Sequence, residues 1–185
     1  MRVTFDAHGI AFTGYSFRPA SVFPNGRLAY SAIRDVDPDA APPEVRTLEG
    51  ETLFISSEQA AEFRIMIAET RLTVVQRTDV WHLLLEPFLD TEITPDDQER
   101  TMAELRRLGI SGSEVAQIRQ SATNSMLAYN GVLWDWVHLG LFDLFASTRW
   151  PFAWTGFVYR LFPKRYQEFY WRAMEIADRG RNESR

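Results

Sequence analysis

The period of the apolar pattern changes near residue 75, and that change constrains the fold more than any other feature of the chain. Before it, short apolar runs alternate with polar residues and are cut by Gly, Pro and Asn. After it, apolar residues recur at three- and four-residue spacing. Side chains of a strand alternate between faces, whereas a helix brings every third and fourth residue onto one face. The first 72 residues therefore predict antiparallel strands closed by a helix, and residues 73–185 predict an all-α bundle of about five helices. The fold class is α+β.

Within the first part, Val3 and Phe5 alternate with polar neighbours, and Ile10-Ala11-Phe12 resumes the pattern after Ala7-His8-Gly9. Pro24-Asn25-Gly26 reads as a turn between Ser21-Val22-Phe23 and Leu28-Ala29-Tyr30. Leu28 to Val36 reads as one half-buried strand, with Leu28, Tyr30 and Ala32 on one face. Asp37-Pro38-Asp39 and Pro42-Pro43 mark a loop, and Val45 to Ile55 reads as a hairpin around Glu49-Gly50. Ser56 and Gln59 have the spacing of a capping box for a helix with its stripe at Ala60, Phe63, Met66 and Ile67.

The second part carries its own punctuation. Thr78-Asp79 caps a short helix that Pro87 ends, and Thr94-Pro95-Asp96-Asp97 opens another that stops at Gly109. Ser111-Gly112-Ser113-Glu114 is a second capping box, and the helix it opens is expected to form an antiparallel hairpin with the one before. Leu133 to Ala146 predicts a helix apolar on nearly every side, and a last helix follows Pro163. Of 25 aromatic residues, 15 lie between Tyr129 and Trp171.

Composition limits the chemistry. The chain has no cysteine, which removes disulfides, thiolate nucleophiles and every Cys-based metal site. A formal charge of −5 argues against a surface that is wholly a nucleic-acid footprint. The N-terminus shows no apolar signal-peptide core, and charges interrupt the most apolar stretch, so a cytoplasmic protein without a transmembrane segment is expected. Phosphate-binding loops, dinucleotide turns and His-Glu-x-x-His pairs are missing. Gly109-Ile110-Ser111-Gly112-Ser113 falls one residue short of a nucleophile elbow and reads as a helix cap.

The run Leu28 to Val36, then Pro43-Glu44-Val45-Arg46-Thr47, then Gly50-Glu51-Thr52-Leu53-Phe54-Ile55 and a helix resembles bacterial pleckstrin-homology-like domains over residues 3–70. There a strand ending in an Ile-x-x-Val pattern precedes a hairpin and a closing helix, and seven strands are usual, against five or six counted here. The resemblance implies a binding or scaffolding module. No clustered Lys/Arg loop for a lipid headgroup is present, so lipid recognition is not implied.

Two functional expectations follow. The first is a non-enzymatic binding, regulatory or scaffolding protein without a cofactor. Its partner would be another protein or a second copy, docked through Trp150, Phe152, Trp154, Phe157, Tyr159 and Arg160. Aromatics interleaved with basic residues in this way are hard to bury completely. The alternative is a divalent-metal site. Asp79-x-x-His82 and Asp135-x-x-His138 repeat one spacing, which puts acid and imidazole on one helix face, with Glu86 one turn beyond His82. Oxygen and nitrogen ligands without sulfur suit Zn, Mn or non-haem Fe.

Overall fold

The computed structural model describes residues 1–88, 94–130, 139–148 and 162–181. They form an α+β chain that divides into two compact units, Met1–Arg77 and Thr78–Arg185.

The first unit holds two three-stranded antiparallel sheets rather than one. In the first sheet β1 (Arg2–Asp6), β2 (Gly9–Thr13) and β3 (Asn25–Ala29) follow one another as neighbours. The second is built likewise from β4 (Ile33–Asp37), β5 (Glu44–Thr47) and β6 (Thr52–Phe54). The strand expected from Leu28 to Val36 is thus two strands. A 3-10 turn over Tyr30–Ala32 interrupts it, and β3 pairs with β2 while β4 pairs with β5. Hydrophobic spacing runs through the break because Leu28 and Ile33 are both buried, each in its own sheet.

Ser21-Val22-Phe23 is not a strand. Residues between β2 and β3 form a loop, yet Tyr15, Phe17, Ala20 and Val22 are buried. Phe12, Tyr15, Phe17 and Phe54 pack edge to face in succession at centroid separations of 5.5, 5.8 and 5.9 Å. The Tyr15 hydroxyl accepts from the Phe54 N–H at 3.1 Å, so this loop ties β2 of one sheet to β6 of the other. Edge-to-face contact aligns ring quadrupoles and adds to the burial itself. At the β1–β2 turn Gly9 has φ +150°, and a Cβ there would lie 2.1 Å from the Leu28 carbonyl oxygen.

A 3-10 turn (Ser57–Gln59) leads into α1 (Ala60–Thr70), which buries Phe63, Met66 and Ile67. The expected Ser56/Gln59 capping box is absent: the Ser56 side chain makes no cap bond. Gln59 instead bonds β1, with Oε1 accepting from Val3 N–H and Nε2 donating to Val3 C=O, both at 2.8 Å. An amide side chain has the donor and acceptor of a peptide group, and tertiary placement used it as one. Arg71, left-handed at φ 55°, turns the chain out of α1. Residues 73–75 then run parallel to β4 through Val36 N–H to Thr73 C=O and Val75 N–H to Val36 C=O, each 2.9 Å. The first unit consequently extends past the expected residue 72 to Arg77.

The second unit contains five α-helices among the described residues: α2 (Val80–Leu85), α3 (Pro95–Arg107), α4 (Gly112–Asn130), α5 (Leu141–Ser147) and α6 (Pro163–Asp178). A 3-10 turn at Glu86–Phe88 ends α2 where Pro87 was expected to stop it. Thr94 and Asp97 form a reciprocal capping box on α3, with Pro95 at its first position. The short α2 touches α3, α4 and α6, whereas among the described residues α3 and α4 meet each other less than either meets α2, so the expected α3–α4 hairpin is not a closely packed one. Trp81 of α2 is buried and donates its indole N–H to the Ala173 carbonyl of α6 at 2.9 Å. Phe145 and Tyr170 stack at 4.8 Å.

The helix expected from Leu133 to Ala146 is not continuous. Residues 131–138 lie outside the described set, and Gly140 is extended (φ −132°, ψ −166°) with its N–H bonded to the Asp143 carboxylate at 2.9 Å. An acidic side chain three residues on can start a helix as well as sit inside one, and spacing alone does not separate the two cases. At the other end of the unit, Thr78 N–H donates to the Gly180 carbonyl at 3.0 Å. A Cβ on Gly180 would lie 2.0 Å from the Thr78 carbonyl oxygen.

Gly180→Ala is therefore expected to cost more than about 2 kcal/mol, because backbone must move. Gly112→Ala, whose added Cβ meets only the Met102 side chain at 3.8 Å, should leave stability unchanged or slightly raised. Urea unfolding of the two variants checks both.

Candidate functional sites

In the second sheet, both faces of the strands are buried. Asp35, Asp37, Glu44 and Arg46 are at most 9% exposed, and Arg46 is 1% exposed. Register accounts for one pair, because Asp35 lies opposite Arg46; Asp37 and Glu44 face each other as like charges and are offset by Arg46 and Arg77. Arg46 Nε lies 2.6 Å from Asp35 Oδ1, a close charge contact rather than an aligned hydrogen bond, and its guanidinium also faces Asp37 at 3.8 Å. Arg46 further donates to the Val75 carbonyl. Arg77 pairs with Glu44 at 3.0 Å and bonds the Thr52 hydroxyl at 3.2 Å, while Arg34 bonds Asp35 at 2.9 Å. Three guanidiniums thus face three carboxylates. Burial and the nearby Arg77 push the Arg46 pKa down, while Glu44, Asp35 and Asp37 hold it up. The cation persists, since an arginine does not deprotonate in such a setting.

A second arrangement is open to solvent. Phe5, Asp6, Ala7 and Tyr30, with Met66, Glu69 and Thr70 of α1, line a cleft of about 490 Å³. Met66 and the half-buried Phe5 supply apolar surface, Phe5 being stacked on Phe63 at 6.1 Å. Asp6 takes two hydrogen bonds from Arg27, at 2.7 and 2.6 Å, and one from His8 N–H at 2.9 Å. Those bonds, from Arg27 first and His8 second, hold its carboxyl well below the usual carboxylate range. Glu69 is exposed. Partial burial, then the charges of Asp6 and Glu69, push the Tyr30 phenol above its ordinary pKa, against Arg27.

The residues expected to hold a metal fare differently. Asp79 is the N-cap of α2, with its carboxylate accepting from the His82 backbone N–H at 2.9 Å. The Asp-x-x-His spacing at this copy is therefore also the spacing of a helix cap. His82 is half-buried within α2, and Glu86 begins the following 3-10 turn, its charge holding up the pKa of Arg119 against burial. Asp135 and His138 lie outside the described residues, so no geometry joins the two copies. Among the described residues, no group of three His, Asp or Glu side chains is arranged to hold a metal. Trp150, Phe152, Trp154, Phe157, Tyr159 and Arg160 likewise lie outside the described residues. Ser111 accepts from Glu114 N–H at 3.2 Å, a cap as expected, but the Glu114 carboxylate pairs with Arg179 at 2.9 Å. No helix among the described residues is long and apolar enough to cross a membrane.

Sequence reasoning missed both arrangements. Asp35-Val36-Asp37 and Glu44-Val45-Arg46 alternate as half-exposed strands do, and their polar sets read as solvent-facing. The available signal was a basic residue among acidic ones on paired strands of a hairpin. The cleft joins residues from three distant stretches, which no spacing announces. No protein-family model, curated protein or solved structure matches the chain.

Arg46→Ala should cost about 3–5 kcal/mol by leaving Asp37 buried without its cation and Asp35 with Arg34 alone. Arg27→Ala, which breaks an exposed pair, should cost far less. Denaturant midpoints of the two variants compare them. At α2, Asp79→Ala should lose about 1 kcal/mol and Asp79→Asn almost nothing, because asparagine caps as well as aspartate. A comparable loss in both variants, with added zinc stabilising the parent alone, would identify a ligand instead of a cap.

Proposed function

We propose that the chain is a non-enzymatic binding or scaffolding protein whose first unit engages another protein through the Phe5–Tyr30–Glu69 cleft. The observation that carries this reading is the pairing of an apolar floor with a rim of fixed charge. Two hydrogen bonds from Arg27 keep Asp6 ionised, and its pKa is held far from the neutral range in which a general acid or base operates. A carboxylate locked in one protonation state recognises charge and does not move a proton. The volume falls within the range of sites that enclose a side chain or small ligand. The resemblance of residues 3–70 to pleckstrin-homology-like domains, which use a small sheet-and-helix body for binding, points the same way.

A photo-cross-linking amino acid at position 30 tests the reading. It should yield one protein adduct, identified by mass spectrometry, that Glu69→Arg abolishes and that the same group at the exposed Glu49 does not give. Absence of an adduct at position 30 would count against the cleft as a protein-binding site.

Self-association through Trp150–Phe162 is a second reading, favoured by Phe162 at the end of that segment. It is 50% exposed, with the Arg165 guanidinium 5.2 Å above its ring. Sedimentation at micromolar concentration should show a dimer that Trp154→Ala weakens; a monomer unaffected by that change would remove this reading.

A further inference from the structure

We infer that the cleft takes an extended peptide segment carrying a basic side chain, paired along the free edge of β1 at Phe5. The inference rests on the binding-module reading above and names the class of its partner.

Backbone geometry supplies the first argument. In an antiparallel ladder, successive residues turn their N–H and C=O groups alternately toward one neighbour and the other. Val3 offers both groups to the Gln59 amide at 2.8 Å, on the side of β1 away from β2. Phe5, two residues on, offers its own pair along the same edge, and Phe5 lines the cleft. The Asp6–Gly9 pairing that closes the tight turn has the complementary parity. Gln59 thus already acts as a substitute peptide group at one position of this edge. The next equivalent position lies about 6.8 Å further along, two residues of strand rise. A peptide adding there repeats the bond pair that Gln59 makes, a mode of recognition in which main-chain bonds give affinity and flanking pockets give selectivity.

Charge selects the side chain. Arg27 neutralises Asp6, which leaves the Glu69 carboxylate in excess on the rim. The upward push on the Tyr30 phenol comes first from burial and then from the charges of Asp6 and Glu69, against Arg27. An Arg or Lys head can pair with Glu69 while its methylene stem covers the half-buried Phe5. An anionic ligand would face Glu69 without compensation.

The test is an NMR titration of the full chain with acetyl-Val-Arg-Val-Arg-Val-amide, reading the backbone amides of residues 5–7 and 66–70. The peptide should shift them saturably. Binding should weaken about fivefold in Glu69→Gln, the scale of one exposed ion pair. It should weaken about tenfold for the same peptide N-methylated at alternate amides, the scale of a lost main-chain bond. The Val-Glu-Val-Glu-Val analogue and acetyl-arginine amide should bind far more weakly, the first testing charge and the second the need for an extended chain. No shift with the arginine peptide at millimolar concentration overturns the inference, as does equal binding of the glutamate or N-methylated peptide. Failure here with a protein adduct still formed at position 30 rejects the basic extended segment and leaves the binding module standing. Loss of that adduct rejects the module itself.

Discussion

The buried contact of Arg46 with Asp35 and Asp37 is the interaction on which the first unit depends. Removing charges from water is costly, and a strand with a charged face normally shows that face to solvent. Here the cost is offset by Arg46 in register with Asp35, by the Arg46–Asp37 and Arg77–Glu44 contacts, and by bonds to backbone and hydroxyl groups. Burial of this face also gives residues 73–77 their role. Val75 presents a carbonyl to Arg46, and Arg77 pairs with Glu44, so the segment after α1 becomes part of the sheet. A well-packed apolar set of equal volume could be equally stable, but it would not discriminate one register from another so sharply. The charged set ties the identity of each strand to its partner.

The helical unit meets the same problem of polar groups near a core by other means. Its helix ends are satisfied individually: Asp79 at the start of α2, Thr94 and Asp97 on α3, and Asp143 before α5. Arg119 of α4 donates to the Leu83 and Leu84 carbonyls at 3.2 and 3.0 Å, where the end of α2 leaves carbonyls without helical partners. Burial pushes the Arg119 pKa down and the charge of Glu86 opposes it, so the cation is kept where the helix dipole favours it. A helix of only six residues persists because α3, α4 and α6 surround it and Trp81 is anchored to α6.

The cleft contrasts with both. Its floor is apolar, and on its rim Arg27 holds the Asp6 carboxylate ionised. Such a site is suited to recognition, and that physics is the support for the proposed binding role. The Asp-x-x-His spacing shows the opposite hazard. A helix cap and the expected metal motif use the same Asp-x-x-His spacing, and at Asp79 the carboxylate is engaged by the His82 backbone N–H.

The sequence by itself determined the α+β class, the change from strands to helices, most helix starts and the stop at Pro87, because caps and apolar period act over a few residues. Tertiary structure decided what depends on partners distant in the chain. It divided Leu28–Val36 between two sheets, turned Gln59 from a cap into a peptide substitute and extended Gly140 ahead of α5. It also buried Arg46 against two aspartates and gathered Phe5, Tyr30 and Glu69 around one cleft. Local propensity ranks the conformations of a segment, but a charged or amide side chain takes its role from whichever group the completed fold sets within about 3 Å of it.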